Sequence, residues 1–159
     1  MLALGLDPGT ATIGYGLVNR LDGGSLQAVD FGVILTPKEM DAPKRLAMLY
    51  HRLNEILAGS QPETCAVEKL FFQKNVTTAI AVGQARGVIL LALAEAGLDV
   101  GEYTPNEVKL AVTGYGSADK RQVQEMVRVQ LALDSIPKPD DAADALAIAI
   151  CHLSTRRYE

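Results

Sequence analysis

MLALGLDPGTATIGYGLV, residues 1–18, sets the architecture from which the rest of the chain can be read. Leu2, Leu4 and Leu6 alternate with Ala3 and Gly5, so an apolar strand carries Asp7 to its C-terminal end, where Pro8 and Gly9 turn the chain. Ile13 to Val18 resumes as the returning strand of a hairpin. Gly14 and Gly16 inside it predict a bulge or the close approach of another backbone. A carboxylate at the end of a buried strand is costly unless it is hydrogen-bonded, open to a cleft or bound to a cation. An Asx-turn onto Gly9 or Thr10 would satisfy Asp7 locally, so its role depends on whether other acids occupy matching positions.

Outward from the hairpin, Leu21-Asp22-Gly23-Gly24 is a turn, and Leu26 to Leu35 is a third antiparallel strand with Val29, Phe31, Val33 and Leu35 on one face. A helix follows from about Pro43, with Leu46, Leu49, Tyr50, Leu53, Ile56 and Leu57 at helical spacing and Gly59 as its stop. His51 and Arg52 fall on its solvated side. Glu63 to Leu70 is a fourth strand that ends on an acid, Glu68, as the first ends on Asp7; strand C-termini in an α/β sheet open onto the usual ligand crevice. The loop from Leu70 to Asn75 leads into a long helix, Val76 to Ala96, in which Gly83 and Gly87 predict close packing against the sheet. Lys69, Lys74 and Arg86 make this region locally basic.

Asp99 to Tyr103 is a short fifth strand, and Thr104-Pro105 caps a short helix carrying Glu107 and Lys109. Gly114-Tyr115-Gly116-Ser117 precedes a helix bearing Lys120, Arg121 and Arg128; glycine, aromatic and basic residues interleaved in this way suit a surface gripping a phosphate backbone, although a solvated helix face accounts for the same charges. The last helix, DDAADALAIAICHL from Asp140 to about Leu153, places Asp141 and Asp144 one turn apart on one face. Asp140 or Asp141 would serve as a cap, but Asp144 sits among Ala, Leu and Ile and needs a partner. His152 is two turns further on, too far to share an ion with it.

With 159 residues, 48% hydrophobic and 21% charged, the chain is expected to form a single globular domain, residues 1–159. No apolar run approaches the ~20 residues of a membrane span and the N-terminus lacks a signal peptide, so a cytoplasmic location is expected. Cys65 and Cys151 have no metal-ligand spacing and are read as buried small hydrophobes, with a contact between them left open. The net charge of -4 counts against bulk attraction to nucleic acid, but not against a local basic surface or acids neutralised by metal.

Asp7, Glu68, Asp141 and Asp144 converge if the first and fourth strands are neighbours and the last helix packs across their ends. Crowded carboxylates require raised pKa values or bound cations. All-oxygen ligation selects Mg²⁺ or Mn²⁺ over zinc, and two such ions ~4 Å apart would serve phosphodiester hydrolysis.

LGLDPGTATIGYG, VEKLFFQKN, GQARGV, GYGSADK and DAADALAIAICH, in this order over nearly the whole chain, closely resemble the RuvC family of bacterial Holliday junction resolvases. The resemblance implies an RNase H-like α/β fold, a five-stranded mixed sheet with helices on both faces, acting as a homodimer. It implies that Asp7, Glu68, Asp141 and Asp144 are the metal-binding catalytic acids, with two Mg²⁺ ions per subunit, or Mn²⁺. It places Lys109 and Lys120 near the scissile phosphate, with Lys120 offsetting phosphate charge, and makes Phe71 the aromatic that stacks on a junction base. Lys74 and Arg121 are expected to touch DNA, and branch-migration proteins of the RuvA and RuvB type are expected partners. Symmetric hydrolysis of two strands of a four-way junction would leave 5′-phosphate and 3′-hydroxyl nicks. Ala11 and Thr12 depart from the longer polar residues common after this turn, which puts that turn's contacts in doubt and not the metal site.

Two other readings remain open on sequence. The Asp-x-Gly-Thr turn also resembles the phosphate loop of actin-like ATPases and sugar kinases, which need two such domains. A non-catalytic nucleic-acid module, or a metal nuclease acting on another substrate, is the second.

Overall fold

The structure, a computed structural model, describes residues 1–9, 11–69 and 76–156, with Thr77 described by its backbone alone. β1 (Leu2–Asp7) and β2 (Thr12–Arg20) form the expected hairpin, in register from Leu2 opposite Asn19 to Asp7 opposite Gly14, and β3 (Leu26–Leu35) extends it antiparallel. A parallel neighbour needs a crossover, and α1 (Ala42–Ser60) supplies it: β4 (Thr64–Glu68) lies parallel to β1, Ala3 opposite Thr64 through Leu6 opposite Val67. α2 (Val76–Glu95) leads to β5 (Val100–Tyr103), parallel to β4, and α3 (Pro105–Thr113), α4 (Lys120–Gln130) and α5 (Asp140–Thr155) complete the chain. The mixed sheet has the order β3-β2-β1-β4-β5.

Strand parity divides the core. Leu4 and Leu6 of β1, Ile13 and Leu17 of β2 and Cys65 and Val67 of β4 face a layer that includes Leu49, Leu53 and Leu57 of α1 and Ala85, Ile89, Ala92 and Leu93 of α2. Ala3, Val18 and Ala66 face the opposite way, toward α5, α3 and α4. This second face is lined by small residues. A Cβ added at Gly5 would overlap the Ala145 carbonyl oxygen, and one at Gly16 would lie 2.8 Å from the Leu146 nitrogen. α5 therefore lies directly on β1 and β2, and every residue from Ala142 to Leu153 except the half-buried Asp144 is buried. A helix apolar on all sides belongs in the interior. Burying Leu146, Ile148 and Ile150 stabilises the fold by roughly 1.5–3 kcal/mol each.

Four local expectations are corrected. β3 does not present one apolar face: the register shifts between Leu17 and Val18, leaving Val29 outside the pairing and exposed, and Leu35, opposite Thr12, is exposed as well while Ile34 is buried. α1 runs through Gly59 and is capped by Gln61 in the left-handed conformation. Gly83 and Gly87 do not pack against the sheet, since a Cβ at either would meet nothing within 4 Å; the close approach is made by the glycines facing α5. Finally, Thr78–Glu95 of α2 is long and apolar enough to cross a membrane by length and composition, at 18 residues and a mean hydropathy of 1.4, because the helix is apolar beyond the face it sets on the sheet. Cys65 and Cys151 are free and belong to different layers, and burial pushes their thiols up to about 12 and about 11. His51 and Arg52 are exposed, as expected.

Candidate metal centre

The parity that sorts the core also aims the acids. Asp7 follows Ala3 and Gly5, and Glu68 follows Ala66, so both carboxyls leave the ends of adjacent parallel strands on the α5 side. Opposite Asp7 in the hairpin stands Gly14, where a Cβ would lie 1.9 Å from the Asp141 carbonyl oxygen. The missing side chain seats the first turn of α5 against the hairpin and brings its acids to Asp7. One carboxylate oxygen from each of Asp7, Asp141 and Asp144 lies within 4.8 Å of the others. Glu68 joins this group through a hydrogen bond with Asp7.

Capping does not account for the acids of α5, since its N-cap is Pro139 and no side chain caps the helix. Nor does ion pairing neutralise the cluster: among the described residues Asp144 meets a cation, Lys120, at 3.9 Å, whereas Asp7, Glu68 and Asp141 form no ion pair. Burial, then the charges of Glu68 and Asp144, push the Asp7 carboxyl up to about 9, so in the metal-free protein it holds a proton at neutral pH. Burial also raises Glu68 and Asp144 above the usual carboxylate range. A group of hard oxygen donors that cannot all ionise together fits a divalent cation of the Mg²⁺ or Mn²⁺ type, whose charge would remove the repulsion.

Lys120 begins α4 and reaches across to the start of α5, its Nζ 3.4 Å from Asp140 and 3.9 Å from Asp144. The Asp144 charge raises its pKa, and its side chain is 58% exposed, so it stays charged at the mouth of the cluster. Asp140, considered from sequence only as a cap, instead holds this lysine, and the hydrogen bond from Lys120 lowers its pKa. Asp119 caps α4 through the Gln122 N–H and so fixes where Lys120 starts. Lys109 is half-buried in α3 and Arg121 is exposed on α4; among the described residues neither forms an ion pair with the acids. Phe71 and Lys74 lie outside the described residues. His152 is not at the centre: it is buried, with Nε2 2.6 Å from the Thr64 hydroxyl and Nδ1 2.7 Å from that of Tyr103, and burial holds it neutral, down to about 4. Sequence reasoning passed over one contact at the site. Arg86 of α2 donates from Nη1 to the backbone carbonyl of Glu68 at 2.5 Å, and the only signal for it was its place in the GQARGV motif.

With this geometry in place, comparison with known proteins is decisive. The family of crossover junction endodeoxyribonuclease RuvC matches residues 3–152. The chain belongs to the RuvC family. A RuvC from Chloroflexus aggregans is 63% identical over 155 residues, 98% of this chain and 94% of that protein. Among solved structures, RuvC of Thermus thermophilus superposes with a TM-score of 0.92 at 38% identity, covering 99% of this chain and 96% of that one. The same enzyme in complex with a Holliday junction substrate gives a TM-score of 0.91 at 35% identity, with 99% and 96% covered. The fold is accordingly the RNase H-like one of these RuvC structures, and the protein is a nuclease. RuvC membership also decides against the actin-like ATPase reading of the Asp7 turn.

Proposed function

We propose that this chain resolves four-way DNA junctions by hydrolysing one phosphodiester in each of two strands, with Asp7, Glu68, Asp141 and Asp144 as the ligands of two Mg²⁺ ions, Mn²⁺ being able to replace them. The observation that carries the reading is the convergence of three carboxylates within 4.8 Å, joined by Glu68 through Asp7, in a setting that raises the pKa of Asp7. Bound divalent cations supply charge stabilisation to the attacking and leaving oxygens of an in-line displacement. Water adds to phosphorus, the P–O3′ bond breaks, and the departing 3′ oxygen takes up a proton, leaving 5′-phosphate and 3′-hydroxyl ends. Lys120, charged and exposed beside Asp144, offsets phosphate charge in this step. Lys109, Arg121 and Lys74 are proposed to contact the DNA backbone, and Phe71 to stack on a base opened at the junction.

Two cuts related by symmetry call for two sites related by symmetry, and a two-fold homodimer provides them. A stripe on α2 that is exposed among the described residues supports this: Val76, Ile80 and Leu91 are 69%, 57% and 54% exposed, and Gly87, with open space at its Cβ, lies on the same line. Glycines four apart and facing outward let a second helix approach closely, which is the use we assign to Gly83 and Gly87 in place of sheet packing. Family membership supports a cytoplasmic site of action and partnership with RuvA- and RuvB-type proteins.

The test is cleavage of a synthetic four-way junction, with linear duplex alongside, in Mg²⁺, Mn²⁺ and EDTA, by the wild type and Asp7→Asn. Paired metal-dependent nicks on the junction, lost in Asp7→Asn while binding persists, are expected. Equal cutting of both substrates would replace junction resolution by a broader metal nuclease, and tight binding without cutting would make the chain a binding module.

A further inference from the structure

The most exacting contact outside the acids is made by Arg86. β1 and β4 pair only as far as Leu6 opposite Val67, so the hydrogen-bonded ladder between these strands stops one residue short of Asp7 and Glu68. Beyond it, the backbone around Glu68 is held by β5, through the register of Glu68 with Tyr103 and a bond from the Lys69 N–H to the Tyr103 carbonyl at 2.8 Å. A further restraint comes from the opposite face of the sheet. Arg86 lies in α2, with a side chain only 12% exposed; its Nη1 donates to the Glu68 carbonyl oxygen at 2.5 Å and its Nη2 to Glu102 Oε1 at 2.6 Å. One guanidinium thus clamps β4 and β5 together at the residue whose side chain joins the acid cluster.

We infer that Arg86 is a positioning residue, which acts by fixing the Glu68 backbone so that the Glu68 carboxylate stays beside Asp7 and completes the cation site. The inference rests on the proposed role of Glu68 as a ligand. Planar guanidinium is suited to the task because two of its N–H groups leave in fixed directions, one toward a carbonyl and one toward a carboxylate. An ammonium on a lysine stem can satisfy the carbonyl but cannot hold that fork. The Glu102 arm contributes less, since that carboxylate is 42% exposed and an ion pair open to water is weak. Because Arg86 sits on the same helix as the exposed Val76, Ile80 and Leu91, it also ties the proposed dimer face to the cation site.

The test compares full-length wild type, Arg86→Met, Arg86→Lys, Glu102→Gln and Glu68→Gln. Mn²⁺ binding to the DNA-free protein is followed by calorimetry, junction affinity is measured in EDTA, and junction cleavage is titrated with Mg²⁺. Arg86→Met is expected to weaken Mn²⁺ binding and raise the half-saturating Mg²⁺ concentration by about tenfold or more, in keeping with the 10–100-fold losses found for outer contacts of metal ligands. Its junction affinity in EDTA should stay close to that of wild type, because the Arg86 side chain is largely buried and committed to Glu68 and Glu102. Arg86→Lys should recover part of the loss, and Glu102→Gln should resemble wild type. Wild-type metal dependence in Arg86→Met overturns the inference. So does a Glu102→Gln defect equal to that of Arg86→Met, which would make the ion pair the active element. If Arg86→Met does not fold, Arg86→Lys decides: a raised metal requirement at wild-type junction affinity supports the inference, and no change refutes it. Failure of the underlying reading is separate, for then Glu68→Gln would bind Mn²⁺ and cleave as the wild type does.

Discussion

Asp7→Asn should stabilise the metal-free protein at alkaline pH while abolishing cleavage. Burial and three neighbouring carboxylates, Glu68, Asp144 and Asp141, push Asp7 up to about 9 in the fold, against about 3.9 for an unperturbed aspartate. Between those values the folded chain holds one proton more than the unfolded chain, so its stability falls as pH rises; this contribution is fully present below the unfolded pKa and is lost on approaching the folded one. The slope is about 1.4 kcal/mol per pH unit at most, or about 4 kcal/mol between pH 5 and pH 8. Asp7 is half-buried, and water reaching it reduces this to about 1–3 kcal/mol. Asparagine removes the titration and can still donate toward Glu68 and Asp144, as the protonated acid does. The assay is denaturant unfolding in EDTA at pH 5 and pH 8, wild type beside Asp7→Asn. Near equality at pH 5 and a variant advantage of about 1–3 kcal/mol at pH 8 are expected. Parallel pH dependence of the two proteins, or a wild type more stable at pH 8, would refute the claim that the fold crowds this carboxyl against its own ionisation.

Three further perturbations read other parts of the arrangement. Lys120→Ala should lower the cleavage rate by about 10²-fold, as loss of a preorganised charge at a reacting phosphate does, and should shift the midpoint of thermal unfolding little because the lysine is exposed; comparison of single-turnover rates with melting curves checks both. Gly14→Ala should destabilise the protein by about 2 kcal/mol or displace the start of α5, since the new methyl group would lie 1.9 Å from the Asp141 carbonyl oxygen; denaturant unfolding and loss of Mn²⁺ binding report the two outcomes. Ile80→Asp, an exposed position of α2, should leave the fold intact and convert dimer to monomer in sedimentation, with junction nicks then appearing singly and not in pairs.

Much of this was legible in the chain because strand parity and helix spacing are local. The alternation of Leu2 to Asp7 fixes which way Asp7 points once the sheet is buried on both sides, and the three-residue spacing of Asp141 and Asp144 fixes a shared face on α5. Gly14 and Gly16 announced a close neighbour without naming it, and the neighbour is the first half of α5. What failed depended on partners remote in sequence. The spacing of Gly83 and Gly87 points to the sheet because nothing local distinguishes a helix face set on a sheet from one turned outward. The register shift at Leu17/Val18 that exposes Val29 is a property of the β2–β3 pair, invisible in either strand alone. For Arg86 the local signal is its place in GQARGV, whereas the role we infer for it comes from reaching the Glu68 carbonyl, 18 residues earlier in the chain.

The same economy of side chains explains why the acids are tolerated in the fold. Residues on the α5 face of the hairpin are small, so helix and sheet meet almost backbone to backbone, and the stability gained is that of packing Leu146, Ile148, Ile150 and the alanines between them. That packing is rigid enough to impose on Asp7, Asp141 and Asp144 a spacing that their charges oppose. Protonation of Asp7 relieves the opposition without metal, and a divalent cation relieves it more completely, so cation and proton compete for one group of oxygens. Metal binding should therefore release protons and strengthen as pH rises toward about 9, the reverse of the metal-free stability trend, and calorimetric Mn²⁺ titrations in buffers of different ionisation enthalpy measure that release. Titrations that released no protons between pH 6 and pH 8 would mean that Asp7 is already ionised before the cation arrives.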